Sequence, residues 1–213
     1  NDNAILYRTN AQSRIFEEKF VTANIPYKIV GGINFYARRE IKDLLCYLKT
    51  IDNGKDDLAV RRVINVPKRG IGLTSINRVQ DYAAAYDIGF YDALLSADAI
   101  PNIGRGLSKL ESFVALIEHF KVDAKDMTLS DLMQEILDVT GYIDSLMAEG
   151  PEEAEARIEN IDELRSKIAT YEETCEENNE PATLNGFLEE VALVADIDSL
   201  DEDTDYVVLM TLH

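Results

Sequence analysis

Three polar side chains that could bind a phosphodiester backbone follow a short apolar run near the start of the chain. The run is AILY, residues 4–7, and Arg8, Thr9 and Asn10 come directly after it. A guanidinium, a hydroxyl and a carboxamide all donate hydrogen bonds to phosphate oxygens. In open α/β sheets ligands bind beyond the carboxyl ends of the strands, which is where these residues would lie. The alternative is a charged turn in which Asn10 only caps the next helix.

A second candidate phosphate site lies in the segment NVPKRGIGLTS, residues 65–75. It holds two cations, a glycine-flanked turn and a hydroxyl: Lys68, Arg69, Gly70, Ile71, Gly72 and Thr74. Glycines let the backbone approach a ligand closely, and the helix expected next offers free N–H groups in its first turn. The arrangement is similar to the hairpin of helix-hairpin-helix DNA-binding modules. A simple connection between two helices would explain the same pattern.

The remaining sequence carries no pattern typical of catalysis. It has no G-x-x-x-x-G-K-[ST] phosphate loop, no metal-ligand spacing and no nucleophile elbow. We therefore expect no catalysis by this chain alone and no metal site. His213 ends the apolar run YVVLMTLH, residues 206–213, and could contact a base or phosphate beside Arg8 and Asn10, or be only a chain end.

The elements that must position these residues follow from the hydrophobic pattern. Residues 4–7 read as a strand covered on both faces, residues 11–23 as a helix that Asn10 caps, and residues 25–32 as a second strand. From residue 35 to about residue 196 the hydrophobic residues recur with a helical period. The first helix of this stretch carries an apolar stripe at Ile41, Leu44, Leu45, Leu48 and Ile51. Further helices are predicted over 58–66 and 74–86, after a capping box at Thr128, and from Pro151 onward. An acidic loop over 198–205 precedes the last strand, residues 206–213. This order predicts a helical domain inserted into an α/β domain, with both chain ends in one parallel sheet.

Charge is distributed unevenly along the 213 residues, whose net charge is −19. Residues 1–80 hold 14 Lys and Arg against 8 Asp and Glu, whereas residues 81–213 hold 7 against 32. A polyanion would therefore dock on the first part and be repelled by the second.

Composition bounds the class of protein. A hydrophobic content of 46% supports a core, and no apolar run reaches a membrane span or resembles a secretion signal, which favours a cytoplasmic protein without a membrane partner. Cys46 and Cys175 read as structural thiols. The chain starts without methionine and stops on an apolar run, which predicts a piece of a longer protein.

Five separated segments together resemble one family. AILYRTNAQSR, GGINFYARREIKDLLCYL, NVPKRGIG, RIENIDEL and VVLMTLH occur in this order and resemble the second motor half of UvrD/PcrA/Rep-like superfamily 1 DNA helicases. The resemblance implies a mainly α chain with a small α/β part: a helical 2B-like domain inserted into an incomplete RecA-like parallel sheet. Residues 1–33 and 206–213 would belong to the RecA-like subdomain 2A, and residues 34–205 to 2B.

The resemblance also implies roles for individual residues. Arg8, Thr9, Asn10 and His213 would contact single-stranded DNA. The residues of the glycine-flanked turn, Lys68, Arg69, Gly70, Ile71, Gly72 and Thr74, would contact duplex DNA ahead of the fork. Gly31 and Gly32 lie where the family hinges 2B onto 2A.

The implied parent is an ATP-dependent helicase that moves 3′ to 5′ along one strand. ATP and Mg²⁺ would be held by motifs that this chain lacks, so the partners implied for the chain itself are DNA and the rest of the helicase motor. No feature identifies a protein partner. Two alternatives stay open: a helicase-nuclease subunit of the same superfamily, and an acidic helical module that binds a protein.

Overall fold

The computed structural model describes residues 3–195 and 206–211. Within the described residues the chain forms two compact units, the first drawn from Asn1–Lys42 and Ile143–His213 and the second from Asp43–Tyr142. The α-helices of residues 3–195 are α1 Ser13–Thr22, α2 Arg39–Asp52, α3 Asp57–Val63, α4 Leu73–Tyr86, α5 Phe90–Leu95, α6 Leu107–Asp123, α7 Leu129–Thr140, α8 Tyr142–Glu149, α9 Pro151–Glu177 and α10 Leu184–Ala195. The predicted domain boundaries at residues 33 and 205 remain predictions.

A small parallel sheet lies in the first unit. Its strands are β1 Ala4–Tyr7, β2 Tyr27–Val30 and β3 Val207–Thr211, in the order β1-β3-β2. Tyr7 is opposite Thr211 across the first pair, and Val30 is opposite Met210 across the second. The prediction that the last strand returns to the sheet of the first is confirmed, and β3 is the central strand. The coarse fold, mainly α with a small α/β part, is confirmed as well.

Strand β1 is covered on one face only, so the prediction of burial on both faces is wrong. Tyr7 is buried and its ring stacks on Phe16 of α1 with 6.5 Å between centroids. Leu6, which points to the other face, is 56% exposed. Ala4, on the same face as Leu6, is exposed as well, so the apolar run is buried on the Tyr7 face only.

The helical predictions hold where the apolar period is long. The stripe of α2 is buried along its whole length, since no member is more than 8% exposed. Thr128 caps α7 as predicted, because its Oγ1 accepts a hydrogen bond from the N–H of Asp131 at 3.1 Å. Helix α3 ends at Val63, three residues before the predicted end, and acidic α9 begins at Pro151 as expected.

The second unit has its own core, built from aromatic side chains of several helices. Tyr47, Phe90, Phe113 and Phe120 are fully buried there. No helix among the described residues is both long enough and apolar enough to cross a membrane.

Candidate nucleic-acid interface

The first candidate site is the strand-end group, which we define as Arg8, Thr9 and Asn10. It forms a tight turn that begins where β1 ends, and the side chain of Gln12 closes it. Gln12 Oε1 accepts hydrogen bonds from the N–H groups of Arg8 at 2.9 Å and Thr9 at 3.4 Å, and its own N–H donates to the carbonyl of Thr9 at 3.1 Å. The prediction that Asn10 caps the helix is wrong, because Asn10 lies inside a short 3-10 helix, Asn10–Gln12, that precedes α1. Arg8 and Asn10 are left exposed to solvent.

A cleft of about 380 Å³ opens beside the strand-end group. Thr211 at the end of β3 contributes to the same side, and the facing wall is the first half of α9. That wall carries three exposed carboxylates, Glu152, Glu155 and Glu159, which we call the acid row. A phosphate is therefore attracted to the Arg8 side of the cleft and repelled by the α9 side.

A buried polar network, which sequence reasoning missed, lies behind the strand-end group. Arg38, only 5% exposed, donates from Nη1 to Asn160 Oδ1 at 2.6 Å, and from Nη2 to the carbonyl of Asn10 at 2.8 Å and to Ser13 Oγ at 2.7 Å. Asn160 in turn donates from Nδ2 to Glu40 Oε1 at 2.6 Å. We call this set the Arg38 network. Its members stand in NAQSR, ARRE and RIEN, three of the segments that carry the family resemblance.

Burial shifts the pKa values of two side chains in and beside this network, Arg38 and Tyr7. Desolvation lowers the pKa of the Arg38 guanidinium, and the nearby carboxylates of Glu17 and Glu40 partly offset that effect. Desolvation also raises the pKa of the Tyr7 hydroxyl, with Glu17 adding to the rise and Arg38 opposing it. Burial therefore disfavours the charged form of each group. Arg38 is nevertheless a cation, because a guanidinium is not deprotonated in proteins, and hydrogen bonds hold it in place.

The second candidate site is residues 65–72, which we call the glycine loop. Asn65 braces it from within: its Oδ1 accepts from the N–H groups of Arg69 at 2.8 Å and Ile71 at 3.3 Å, and its Nδ2 donates to the carbonyl of Ile71 at 3.3 Å. Ile71 is 3% exposed and anchors the loop in the core. Gly70 has a φ of +69°, a conformation that side-chain-bearing residues rarely adopt. The loop is therefore held in one shape by its own residues.

Arg69 points into the loop instead of outward. Its Nη1 donates to the carbonyls of Val63 at 2.8 Å, Ile64 at 3.4 Å and Val66 at 3.1 Å, and its Nη2 donates to the Tyr47 hydroxyl. The carbonyl of Val63 is the last one of α3 and has no partner within the helix. The sequence pattern predicts a phosphate contact for Arg69, whereas in the structure its guanidinium binds the backbone of the loop and the Tyr47 hydroxyl.

The outer rim of the glycine loop offers hydrogen-bond donors to solvent. Lys68 is exposed, and no described residue forms an ion pair with it. Helix α4 starts after Gly72 without a side-chain cap, so the N–H groups of its first turn, near the exposed Thr74, are free of such a partner. Lys109 of α6 adds a second ammonium, since its Nζ donates to the carbonyl of Gly70 at 2.7 Å. No local signal identifies Lys109, because it is 39 residues further along the chain.

The predicted hinge glycines lie at the end of β2. Gly31 has a φ of +77°. A Cβ added to Gly32 would lie 3.2 Å from Cγ2 of Ile29 and 3.3 Å from Oδ1 of Asn10, so Gly32 packs against the strand-end group. Their role as a hinge remains a prediction.

Two histidines complete the candidate residues. His213 lies outside the described residues, and its contact with DNA remains a prediction; Thr211, two positions earlier, is opposite Tyr7 at the edge that carries the strand-end group. His119 lies between two carboxylates, with Nδ1 3.1 Å from Asp123 Oδ2 and Nε2 3.2 Å from Glu135 Oε1. Because each ring nitrogen faces a different carboxylate, His119 connects α6 with α7.

Comparison with known proteins assigns the family. Residues 1–213 match the family described as UvrD-like helicase C-terminal domain. The chain is 43% identical over 219 aligned residues to the ATP-dependent DNA helicase PcrA of Bacillus subtilis, and 44% identical to the PcrA proteins of Staphylococcus epidermidis and Staphylococcus aureus. Each alignment covers the whole chain but only 29% of the relative's length. With its full length matched, the chain belongs to the family of UvrD-like helicase C-terminal domains.

Proposed function

We propose that the chain is the DNA-contacting segment of an ATP-dependent 3′–5′ DNA helicase. In this proposal the strand-end group binds single-stranded DNA and the glycine loop binds the duplex ahead of the fork. The names of the similar proteins, each an ATP-dependent DNA helicase, support the general activity. The direction of movement comes from the family resemblance alone.

The observation that carries the proposal is the braced glycine loop with its exposed donors. Lys68, Lys109 and the first N–H groups of α4 all supply positive charge or hydrogen bonds on the outer side of a loop whose shape is fixed. These donors recognise phosphate oxygens and carry no base selectivity. A contact of this kind suits a duplex whose sequence changes continually as a helicase advances. Arg69 serves the contact indirectly, by holding the loop.

The strand-end group supplies the single-strand contact. Its guanidinium, hydroxyl and carboxamide lie at the carboxyl edge of the sheet, and the exposed side chains of Arg8 and Asn10 are free to meet a backbone there. In the proposal His213 contributes to the same strand site, and Gly31 and Gly32 form the joint of subdomain 2B with 2A.

ATP and Mg²⁺ belong to the rest of the proposed helicase. The sequence has no phosphate loop, and the cleft beside the strand-end group has three carboxylates on one wall, which would repel a triphosphate. The described residues around this cleft therefore do not fit a nucleotide, and we assign them no step of hydrolysis.

Salt-dependent DNA binding tests the duplex contact. The 213-residue chain is titrated with a fluorescent hairpin duplex at NaCl concentrations from 50 to 200 mM, as wild type and as the double variant Lys68→Ala/Lys109→Ala. Two lost phosphate contacts should reduce the slope of log K against log[salt] by about 1.8. Lys55→Ala, which removes an exposed cation at the opposite end of α3, is the matched control and should keep the wild-type slope. An unchanged slope in the double variant contradicts the duplex contact.

The strand contact needs the whole motor. In a full-length helicase that carries this segment, Arg8→Ala/Asn10→Ala should slow translocation on single-stranded DNA and weaken binding to a dT oligonucleotide, while circular dichroism shows an intact fold. Translocation at the wild-type rate would remove the strand-end group from the proposal.

A further inference from the structure

Arg38 places an ionised side chain in the interior of the first unit directly behind the strand-end group. The guanidinium is 5% exposed and makes hydrogen bonds to three different acceptors, at 2.6 to 2.8 Å. Its Cζ atom also lies 5.1 Å from the centre of the Phe35 ring, within the range of a cation–π contact.

A buried cation of this kind is a poor source of stability. The desolvation of an ion is costly, and apolar residues of similar volume often stabilise a fold as well or better. A network whose members are all hydrogen-bonded does restrict geometry strongly, because each group accepts only a narrow range of distances and angles. The network therefore fixes the geometry of the groups that it joins more than it stabilises the fold.

The position that it fixes is that of the Asn10 peptide. Two donors converge on the carbonyl of Asn10, namely Arg38 Nη2 at 2.8 Å and Ser13 Oγ at 2.8 Å. From the other side, Gln12 Oε1 holds the N–H groups of Arg8 and Thr9. The backbone of the turn is thus held at both ends, while the side chains of Arg8 and Asn10 stay exposed to solvent.

We propose that Arg38 is a positioning residue of the single-strand site, which it orders from behind through the Asn10 carbonyl without touching DNA. Asn160 extends this connection to α9, whose first half forms the opposite wall of the cleft. The inference rests on the proposed function, since it presumes that the strand-end group binds single-stranded DNA.

The test uses a full-length helicase that carries this segment and measures the Kd for a dT oligonucleotide, the Kd for a blunt duplex and the Tm. Arg38→Lys keeps the charge but cannot reach all three acceptors, and it should weaken dT binding about tenfold with little change at the duplex. Arg39→Lys is the matched control, because Arg39 is the next residue, exposed and paired with Glu149; it should stay within twofold of wild type. Ser13→Ala removes a single member of the Arg38 network and replaces Arg38→Lys in the test if that variant does not fold. We expect Ser13→Ala to weaken dT binding about threefold.

A double-mutant cycle separates positioning from general structural damage. Where Arg8→Ala/Asn10→Ala has already removed the strand contact, Arg38→Lys should have almost no further effect on dT binding. An additive loss in that background, or an equal loss of duplex affinity, would overturn the inference.

The outcomes also separate this inference from the function on which it rests. If Arg8→Ala/Asn10→Ala weakens dT binding but neither Arg38→Lys nor Ser13→Ala does, the positioning role fails and the strand contact stands. If Arg8→Ala/Asn10→Ala leaves dT binding unchanged, the strand contact itself fails.

Discussion

The neighbouring cations Lys68 and Arg69 should respond to alanine substitution in opposite ways. Lys68 is exposed on the rim of the glycine loop, whereas the guanidinium of Arg69 donates to backbone carbonyls and to the Tyr47 hydroxyl. Lys68→Ala should therefore change DNA binding with little effect on folding. Arg69→Ala should mainly change folding.

The magnitude follows from the hydrogen bonds that Arg69 makes. Two carbonyl bonds have good geometry, at 2.8 and 3.1 Å, a third at 3.4 Å is weak, and the buried Tyr47 hydroxyl loses a donor as well. At about 1 kcal/mol for each of the three good bonds, Arg69→Ala should lower the free energy of unfolding by roughly 3 kcal/mol. For a chain of this size that corresponds to a fall in Tm of about 6–12 °C. Lys68→Ala should stay within about 0.5 kcal/mol of wild type.

Urea unfolding and duplex titration on the same preparations measure both effects. Lys68→Ala should reduce the slope of log K against log[salt] by about 0.9, the value for one phosphate contact. Arg69→Lys is the informative control, because it keeps the positive charge but lacks the planar fork that reaches several acceptors; it should be almost as unstable as Arg69→Ala. Wild-type stability of Arg69→Ala together with a reduced salt slope would show that the guanidinium binds phosphate, and the internal role would be refuted.

Three further predictions concern single features of the structure. Replacing the acid row with glutamine should raise affinity for a dT oligonucleotide about twofold at 0.15 M salt. Three charges roughly 10 Å from a phosphate contribute about 1.2 kcal/mol in water before screening, and salt at this concentration reduces that to about 0.35 kcal/mol. Unchanged affinity would mean that the strand does not pass the cleft. Gly70→Ala should cost about 1–2 kcal/mol in urea unfolding, since its φ is +69° and the new Cβ would lie 2.9 Å from Lys109 Nζ; a neutral result would contradict the left-handed turn. Hydrogen bonds lower the pKa of Glu149, the one from Arg39 more than the one from Arg157. The contribution of Glu149 to stability is therefore present above the ordinary glutamate pKa of about 4.3 and is lost as pH falls through the lower folded-state pKa. NMR titration of Glu149 should find this lowered midpoint, and Arg39→Ala should raise it.

Much of the fold could be predicted because the signals are local. The apolar stripe of α2, the cap at Thr128 and the proline at the start of α9 each lie within a few residues of the feature they indicate. The pairing of β1 with β3 is long-range, but three short β-type runs, with a long helical stretch before the last, left few other arrangements.

The direction of side chains in the candidate sites could not be predicted in the same way. Lys68 and Arg69 are consecutive cations in a turn, and nothing in their spacing distinguishes them. What separates them is Tyr47 on α2 and the carbonyl of Val63 at the end of α3, both of which accept hydrogen bonds from Arg69. Lys109 could not be predicted from the sequence for the same reason, because its contact with Gly70 depends on how α6 packs.

The Arg38 network changes how the segments shared with the helicase family should be interpreted. ARRE and RIEN are rich in charged and polar residues, which in most proteins lie on the surface. In the structure Arg38, Glu40 and Asn160 are instead buried and bonded to one another. Since a buried polar group must find partners of fixed geometry, each of these residues restricts the others far more tightly than an exposed contact would. A substitution of Asn160 should therefore alter the geometry of the strand-end group, 150 residues earlier in the chain, because a single guanidinium, that of Arg38, is bonded to both Asn160 and the Asn10 carbonyl.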